Sequence, residues 1–126
     1  MDEFIKKHGV ISWTELTTSD VDAAKKFYSE IFGWEYEDMD SGGMPYTIAK
    51  AHGKEIAGMM ITPEEADGCP PVWGSYVSVD NVDETAKKVE ALGGKVHVAP
   101  RDIPNVGRFT VFQDPQGAFI TAITMI

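Results

Sequence analysis

The sequence predicts an α+β fold of two tandem β-α-β-β-β modules, and an internal repeat carries the prediction. The segment from Thr18 to Lys26, running on to Phe32-Gly33-Trp34, is echoed about 60 residues later by Val79 to Lys88, running on to Leu92-Gly93-Gly94. Each copy follows an apolar, strand-like stretch (Gly9 to Leu16; Pro71 to Val79). Each ends in another such stretch after two more (Ile56 to Ile61; Ala118 to Met125). A repeat of this length is a whole supersecondary unit, and a site formed between the copies would draw residues from both.

The elements follow in order. Val10 to Leu16 reads as the first strand, leading to a helix opened by Ser19 or Asp20, where Ser19-x-x-Asp22 resembles a capping box with an acid at its last position. Val21, Ala24, Phe27, Tyr28, Ile31 and Phe32 recur at helical spacing and define one apolar face. Gly33 supplies the left-handed stop. Trp34 to Met39 alternates as a strand and Ser41-Gly42-Gly43 turns the chain. Tyr46 to Ala51 and Glu55 to Ile61 form a hairpin closed by His52-Gly53-Lys54. Residues 63–71, rich in proline, glycine and acids, read as a linker between module one (about 8–62) and module two (72–126) of a single domain over 1–126.

In the second module Asn81-x-x-Glu84 is a cleaner capping box, and Val82, Thr85, Ala86, Val89 and Leu92 are expected to face inward before Gly93-Gly94 ends the helix. Strands are expected at Lys95 to Ala99, Arg108 to Gln113 and Ala118 to Met125. The last two are joined across Asp114-Pro115-Gln116-Gly117, a turn with proline early and glycine last.

Composition bounds the partners. The chain has 126 residues, enough for one buried core, with 43% apolar and 25% charged residues. Eleven basic against twenty acidic residues give a formal charge of −9, which repels phosphate backbones and anionic lipid, so no nucleic-acid or membrane partner is expected. No apolar run reaches the length of a membrane span. The opening Met1 to Lys7 lacks the basic-then-apolar order of a signal peptide, and a cytoplasmic location is the expectation. The lone Cys69, in a turn-rich segment with no histidine neighbour, fits a reducing compartment and reads as an ordinary surface thiol. His8, His52 and His97 fall in a tail, a hairpin turn and a middle strand, with no second ligand at metal-site spacing.

Several motifs together carry a resemblance. They are Asp20-Val21 through Phe27-Tyr28 to Phe32-Gly33-Trp34, Val77 to Asn81 through Gly93-Gly94, Gly107-Arg108-Phe109, and Asp114-Pro115-Gln116-Gly117-Ala118. With them the chain resembles, over essentially its whole length, the vicinal oxygen chelate superfamily, which holds glyoxalase I, bleomycin-resistance proteins and extradiol dioxygenases. Trp13-Thr14-Glu15-Leu16 and Ala57-Gly58-Met59-Met60 make it most similar to the glyoxalase-like branch of the hydroxylase or 27-kDa-antigen type. The resemblance implies a curved mixed sheet with helices on its outer face. It also implies a homodimer, which unprotected strand edges independently favour.

Metal-dependent relatives place one ligand on the first and one on the last strand of each module. Those positions fall here on Trp13, Gly58, Gly74 and Thr121, which offer no carboxylate or imidazole, and a one-residue slip does not rescue the set. No metal and no cofactor are therefore expected. Strand alternation places Ile11, Trp13 and Glu15 together, likewise Ile56, Gly58 and Met60, then Gly74, Tyr76 and Ser78, and Phe119, Thr121 and Ile123. These faces make an apolar small-molecule site the leading expectation. The candidate ligand-binding residues are Trp13, Tyr46, Met60, Tyr76, Arg108, Phe119 and Thr121, with Glu15 as the candidate base. Trp73 falls on the opposite parity, toward the helix layer or an interface. Two rival readings are a metal-dependent lyase, isomerase or dioxygenase with displaced ligands, and a non-catalytic interaction module. A ferredoxin-like barrel is a rival fold that lacks the third consecutive strand after each helix.

Overall fold

The computed structural model describes residues 2–41, 44–63, 69–104 and 106–126. A short α1 (Asp2–Ile5) precedes β1 (Ile11–Thr18), α2 (Val21–Phe32), β2 (Glu35–Ser41), β3 (Met44–Ala51) and β4 (Lys54–Ile61). Then come β5 (Val72–Ser78), α3 (Val82–Ala91), β6 (Lys95–Ile103), β7 (Gly107–Gln113) and β8 (Phe119–Met125). Backbone contacts group these into a first unit, Trp13–Gly74, and a second made of Met1–Ser12 with Ser75–Ile126. Gly42, Gly43 and residues 64–68, on which the expected turn and most of the linker fall, lie outside the described residues.

In the first unit the strands run in the order β2-β3-β4-β1; in the second they run β6-β7-β8-β5. Each has the same internal logic. The strand before the helix pairs in parallel with the last strand of its module, β1 with β4 and β5 with β8, and the remaining pairs are antiparallel. Three consecutive strands follow α2 within its module and three follow α3, so the α+β, tandem β-α-β-β-β reading holds and the ferredoxin-like alternative does not.

Local chemistry explains the boundaries. Asp20, in an extended conformation, accepts from the Ala23 amide and caps α2, so the residue that opens this helix is Asp20 and the Ser19-based box is not the cap. Asn81 accepts from the Glu84 amide in the same way at α3. Gly33 ends α2 at φ 73°, a left-handed position where a side chain is costly. The β3–β4 hairpin turns on His52 at φ 54° and Gly53 at φ 77°, the paired positive φ of a tight two-residue loop.

Two expectations need correcting, and one face carries a surprise. β6 runs past Ala99 to Ile103; Pro100 is accommodated because register shifts on either side of Val98 free it from donating to the ladder. Leu92 is 74% exposed, because α3 ends at Ala91 and Leu92 is already its cap. No residue of α2 is fully buried, and Phe27, Ile31 and Phe32 are all more than half exposed. Helical spacing fixes which residues share a face; it does not fix what covers that face. Tyr28, Phe32, Trp34 and Trp73 instead pack on one another with ring centroids 5.1–6.0 Å apart, and Trp73 Nε1 donates to the Tyr28 hydroxyl at 3.1 Å. Trp73 thus sits on the helix side of its unit, as its parity predicts.

The core is small in each unit. Leu16, Ala49, Ala57 and Met59 are buried in the first, with Met59 fully enclosed, a burial worth about 1.5–3 kcal/mol. In the second, Val79, Val82 and Ala122 cluster under α3 with Phe112 against them. The N-terminal segment, unforeseen as a helix, is tied to this second unit: the Ser78 hydroxyl donates to the Ile5 carbonyl, and the Asp80 amide donates to His8 Nδ1 at 3.0 Å.

Candidate ligand site

Register across the first unit sets its candidate residues in place. Glu15 lies beside Gly58, Gly58 beside Ile48, and Ile48 beside Glu37, one row across all four strands. Alternation then puts Trp13, Glu15, Tyr46, Gly58 and Met60 on one face, with Leu16, Thr47 and Met59 on the other. Tyr46 leans across this face. Its hydroxyl accepts from Trp13 Nε1 at 2.9 Å and donates to Glu15 Oε1 at 2.7 Å.

Gly58 is what allows it. A Cβ at residue 58 would stand 1.7 Å from the Tyr46 hydroxyl oxygen and 2.3 Å from Cζ, so the phenol occupies the space a side chain would need. Burial first, and the Glu15 charge second, push the Tyr46 phenol far above its ordinary range; the hydroxyl keeps its proton and acts as a donor to a carboxylate. Trp13, Glu15, Tyr46 and Met60 are all half-buried, so the face is neither sealed nor fully wet.

A second polar node lies close by in the same unit. Asp38 accepts from the Thr47 hydroxyl at 2.8 Å and from Lys25 Nζ at 3.1 and 3.2 Å. Thr47 foremost, then Lys25, hold its carboxyl below the usual aspartate value. A hollow of about 400 Å³ opens between this node, the capped start of α2 and Tyr46. Tyr46 is a wall of this hollow, while Trp13 and Glu15 are not. Lys50, which shares the face of Tyr46, is bound to Glu37 at 2.5 Å.

The remaining candidates belong to the second unit. Tyr76 and Thr121 are direct strand partners, and Thr121 is buried. Phe119 is 56% exposed, its ring 4.8 Å from that of His97, whose Nε2 meets Gln113 Oε1 at 2.5 Å. Arg108 points to α3: its Nε and Nη2 grip the two Asp83 oxygens at 3.0 and 3.1 Å, and Nη1 meets Asp102 at 3.1 Å. It pairs with Thr124, on the opposite parity to Thr121, and its guanidinium is taken up by these two acids. The structure thus gathers Trp13, Glu15 and Tyr46 into direct contact, sets Met60 on their face, and turns Arg108 toward a helix. The sequence reading missed the Lys25–Asp38–Thr47 node, because nothing in local spacing links residues so far apart. It took Gly58 as a lost ligand position; the glycine is the space into which Tyr46 fits.

Two of the four expected ligand positions, Trp13 and Gly58, offer a divalent cation no donor. The indole N–H of Trp13 is spent on Tyr46, and the side-chain volume at Gly58 is filled by a phenol. Among the described residues, no group of three or more His, Cys, Asp or Glu is gathered in a way that could hold a metal ion. Cys69 is exposed. No helix among the described residues is long and apolar enough to cross a membrane.

Comparison with known proteins agrees with this architecture. The chain is 39% identical over 117 residues to the "Putative glyoxylase CFP32" of Mycobacterium tuberculosis, covering 90% of this chain and 45% of that protein. It is 34% identical over 123 residues to the "Anthracycline biosynthesis protein DnrV" of Streptomyces peucetius, covering 87% and 45%. The chain therefore spans just under half the length of these curated relatives. Among solved structures, the methylmalonyl-CoA epimerase of Mycobacterium tuberculosis superposes with a TM-score of 0.58 at 15% identity, covering 98% of this chain and 94% of that one. A variant of the Streptomyces coelicolor methylmalonyl-CoA epimerase, in complex with 2-nitronate-propionyl-CoA, gives 0.63 at 17% identity, with 93% and 97% covered. At that identity the likeness concerns the fold alone. Residues 10–121 match the family model of the Glyoxalase/Bleomycin resistance protein/Dioxygenase superfamily, and the chain belongs to that superfamily.

Proposed function

We propose that this chain is a metal-free, glyoxalase-like protein that binds a small, largely apolar molecule on the face carrying Trp13, Glu15, Tyr46 and Met60. The observation that carries the reading is the hydrogen-bonded chain from Trp13 through Tyr46 to Glu15, laid over a glycine. Half-buried aromatics, a methionine and a single fixed carboxylate are the makeup of a small-molecule site. Residues 1–126 act as one domain, and two copies pair as a homodimer in the cytoplasm. Tyr76, Phe119, Thr121 and Arg108 are the ligand-contact candidates of the second unit, Arg108 with its guanidinium on Asp83 and Asp102.

A second reading, catalysis without a metal, is favoured by the Tyr46–Glu15 hydrogen bond and is in keeping with the glyoxylase name of a curated relative. Here Glu15 removes a proton from the ligand and Tyr46 steadies the carboxylate before and after. A thermal-shift screen of apolar small molecules tests the first reading, since a bound ligand stabilises the folded chain by mass action. Hits lost in Trp13→Ala and altered in Tyr46→Phe are expected. Hits indifferent to both substitutions would move the site elsewhere.

A further inference from the structure

We infer that the homodimer closes through α2, whose exposed Phe27 and Ile31 pack antiparallel against the same helix of a second copy. The inference rests on the homodimer reading above and names the surface that makes the pair.

The sheet edges are poorly suited to that task. β2, which ends the sheet of the first unit, carries Glu35, Glu37, Asp38 and Asp40 within seven residues. Two such edges laid side by side would set acids against acids. β6, which ends the sheet of the second unit, holds Pro100, with no N–H to give, and has register shifts on either side of Val98. A continuous ladder between two copies of either strand is therefore disfavoured. With a formal charge of −9, two copies also repel each other, so a surface that joins them has to be apolar and locally balanced in charge.

The helix α2 meets both conditions. Ala23, Phe27 and Ile31 follow at i, i+4 and i+8 and form one stripe along it. All three are exposed, Phe27 and Ile31 by more than half. Phe27 stands edge-on to Tyr28 at 5.2 Å, Tyr28 stacks on Phe32 at 5.9 Å and Phe32 meets Trp34 at 5.1 Å, so the stripe runs into an aromatic patch of the same unit. Aromatic side chains are enriched among the residues that anchor protein interfaces. The next row outward holds one charge of each sign, Lys26 and Glu30, both exposed. A two-fold axis passing between Phe27 and Ile31 runs the two helices antiparallel. It lays Phe27 on Ile31 of the partner subunit and brings Lys26 to Glu30 of the partner subunit, each contact occurring twice. The surface is complementary to itself.

Sedimentation equilibrium of the full chain at low salt tests this. Phe27→Gln is expected to raise the dimer dissociation constant at least about tenfold, with the far-ultraviolet circular dichroism unchanged. Lys26→Glu and Glu30→Lys, each alone, turn two attractions into two repulsions and should weaken the dimer about three- to tenfold. Mixed in equal amounts, these two variants restore both attractions, so the mixture should associate as tightly as the unsubstituted chain. An effect on helix stability alone would not recover on mixing. A dimer indifferent to Phe27→Gln would put the interface elsewhere and leave the homodimer reading intact. A mixture no tighter than its parts would overturn the antiparallel contact. An unsubstituted chain that stays monomeric at micromolar concentration would end the homodimer reading and this inference with it.

Discussion

Replacing Gly58 by alanine asks the most of the proposed geometry. The added methyl would sit 1.7, 2.3 and 2.8 Å from the hydroxyl oxygen, Cζ and Cε2 of Tyr46, and its three nearest neighbours are all atoms of that one ring. The backbone therefore has room, and the strain is relieved when Tyr46 swings away. What is lost is its two hydrogen bonds. A neutral one is worth about 0.5–1.5 kcal/mol and one to a carboxylate about 1.5–3 kcal/mol. Because the trio is only half-buried, the lower ends apply, and the combined loss is about 2–3 kcal/mol. Alanine recovers about 0.5–1 kcal/mol of backbone entropy relative to glycine in a strand. The net expectation for Gly58→Ala is a destabilisation of about 1–2.5 kcal/mol.

In a Tyr46→Ala background the same substitution meets no ring. It should be neutral or stabilise by up to about 1 kcal/mol, giving a coupling of about 2–3 kcal/mol between the two sites. Urea midpoints at constant m-value read all four corners of this cycle. A coupling below about 0.5 kcal/mol would refute the claim that Gly58 exists to seat Tyr46.

Other outcomes follow from the same contacts. Trp13→Phe keeps the ring but deletes the indole N–H, and should cost about 1 kcal/mol by urea denaturation, with the cost vanishing in a Tyr46→Phe background. Arg108 lowers the Asp83 carboxyl, so its contribution is present above the ordinary aspartate value and is lost as pH falls through the lowered one. Arg108→Ala should thus raise the Asp83 titration midpoint in a carboxyl-carbon NMR titration and flatten the acid limb of stability; an unmoved midpoint would show that the ion pair does not persist in solution. Protein purified without added ions should carry well under one divalent metal per chain, and chelator should leave its melting temperature unchanged; stoichiometric metal that survives dialysis counts against the reading. Light scattering at micromolar concentration should give about twice the 13.8 kDa chain mass, and a monomer would exclude the homodimer.

Sequence made the module order readable because each boundary is chemically marked: Asp20 and Asn81 as caps, Gly33 as a stop, His52-Gly53 as a hairpin turn. It also gave the shared face of Trp13, Glu15 and Met60, since strand parity is a local property. Contacts between distant residues were less legible. That Tyr46 would reach over Gly58 to Glu15 depends on the lateral register of β3, β4 and β1, which alternation does not encode. The pairing of Arg108 with Asp83 depends on where α3 lies against β7, and the outward lie of Phe27 and Ile31 depends on what packs over α2.

The placement of the tryptophans has a spectroscopic consequence. The chain has three, Trp13, Trp34 and Trp73, and all belong to the unit Trp13–Gly74, leaving Ser75–Ile126 with none. Intrinsic emission is therefore a one-sided reporter. Trp34 and Trp73 both lie within 6 Å of Tyr28, near enough for efficient energy transfer from its phenol, so excitation at the tyrosine band also reads out this unit. Unfolding of the second unit would involve no tryptophan of its own, yet remove a helix and much of the strand signal from far-ultraviolet circular dichroism. Superimposable melting curves from the two methods would mean that both units unfold in a single cooperative step. A lag between them would instead rank the units by stability without labels or mutations.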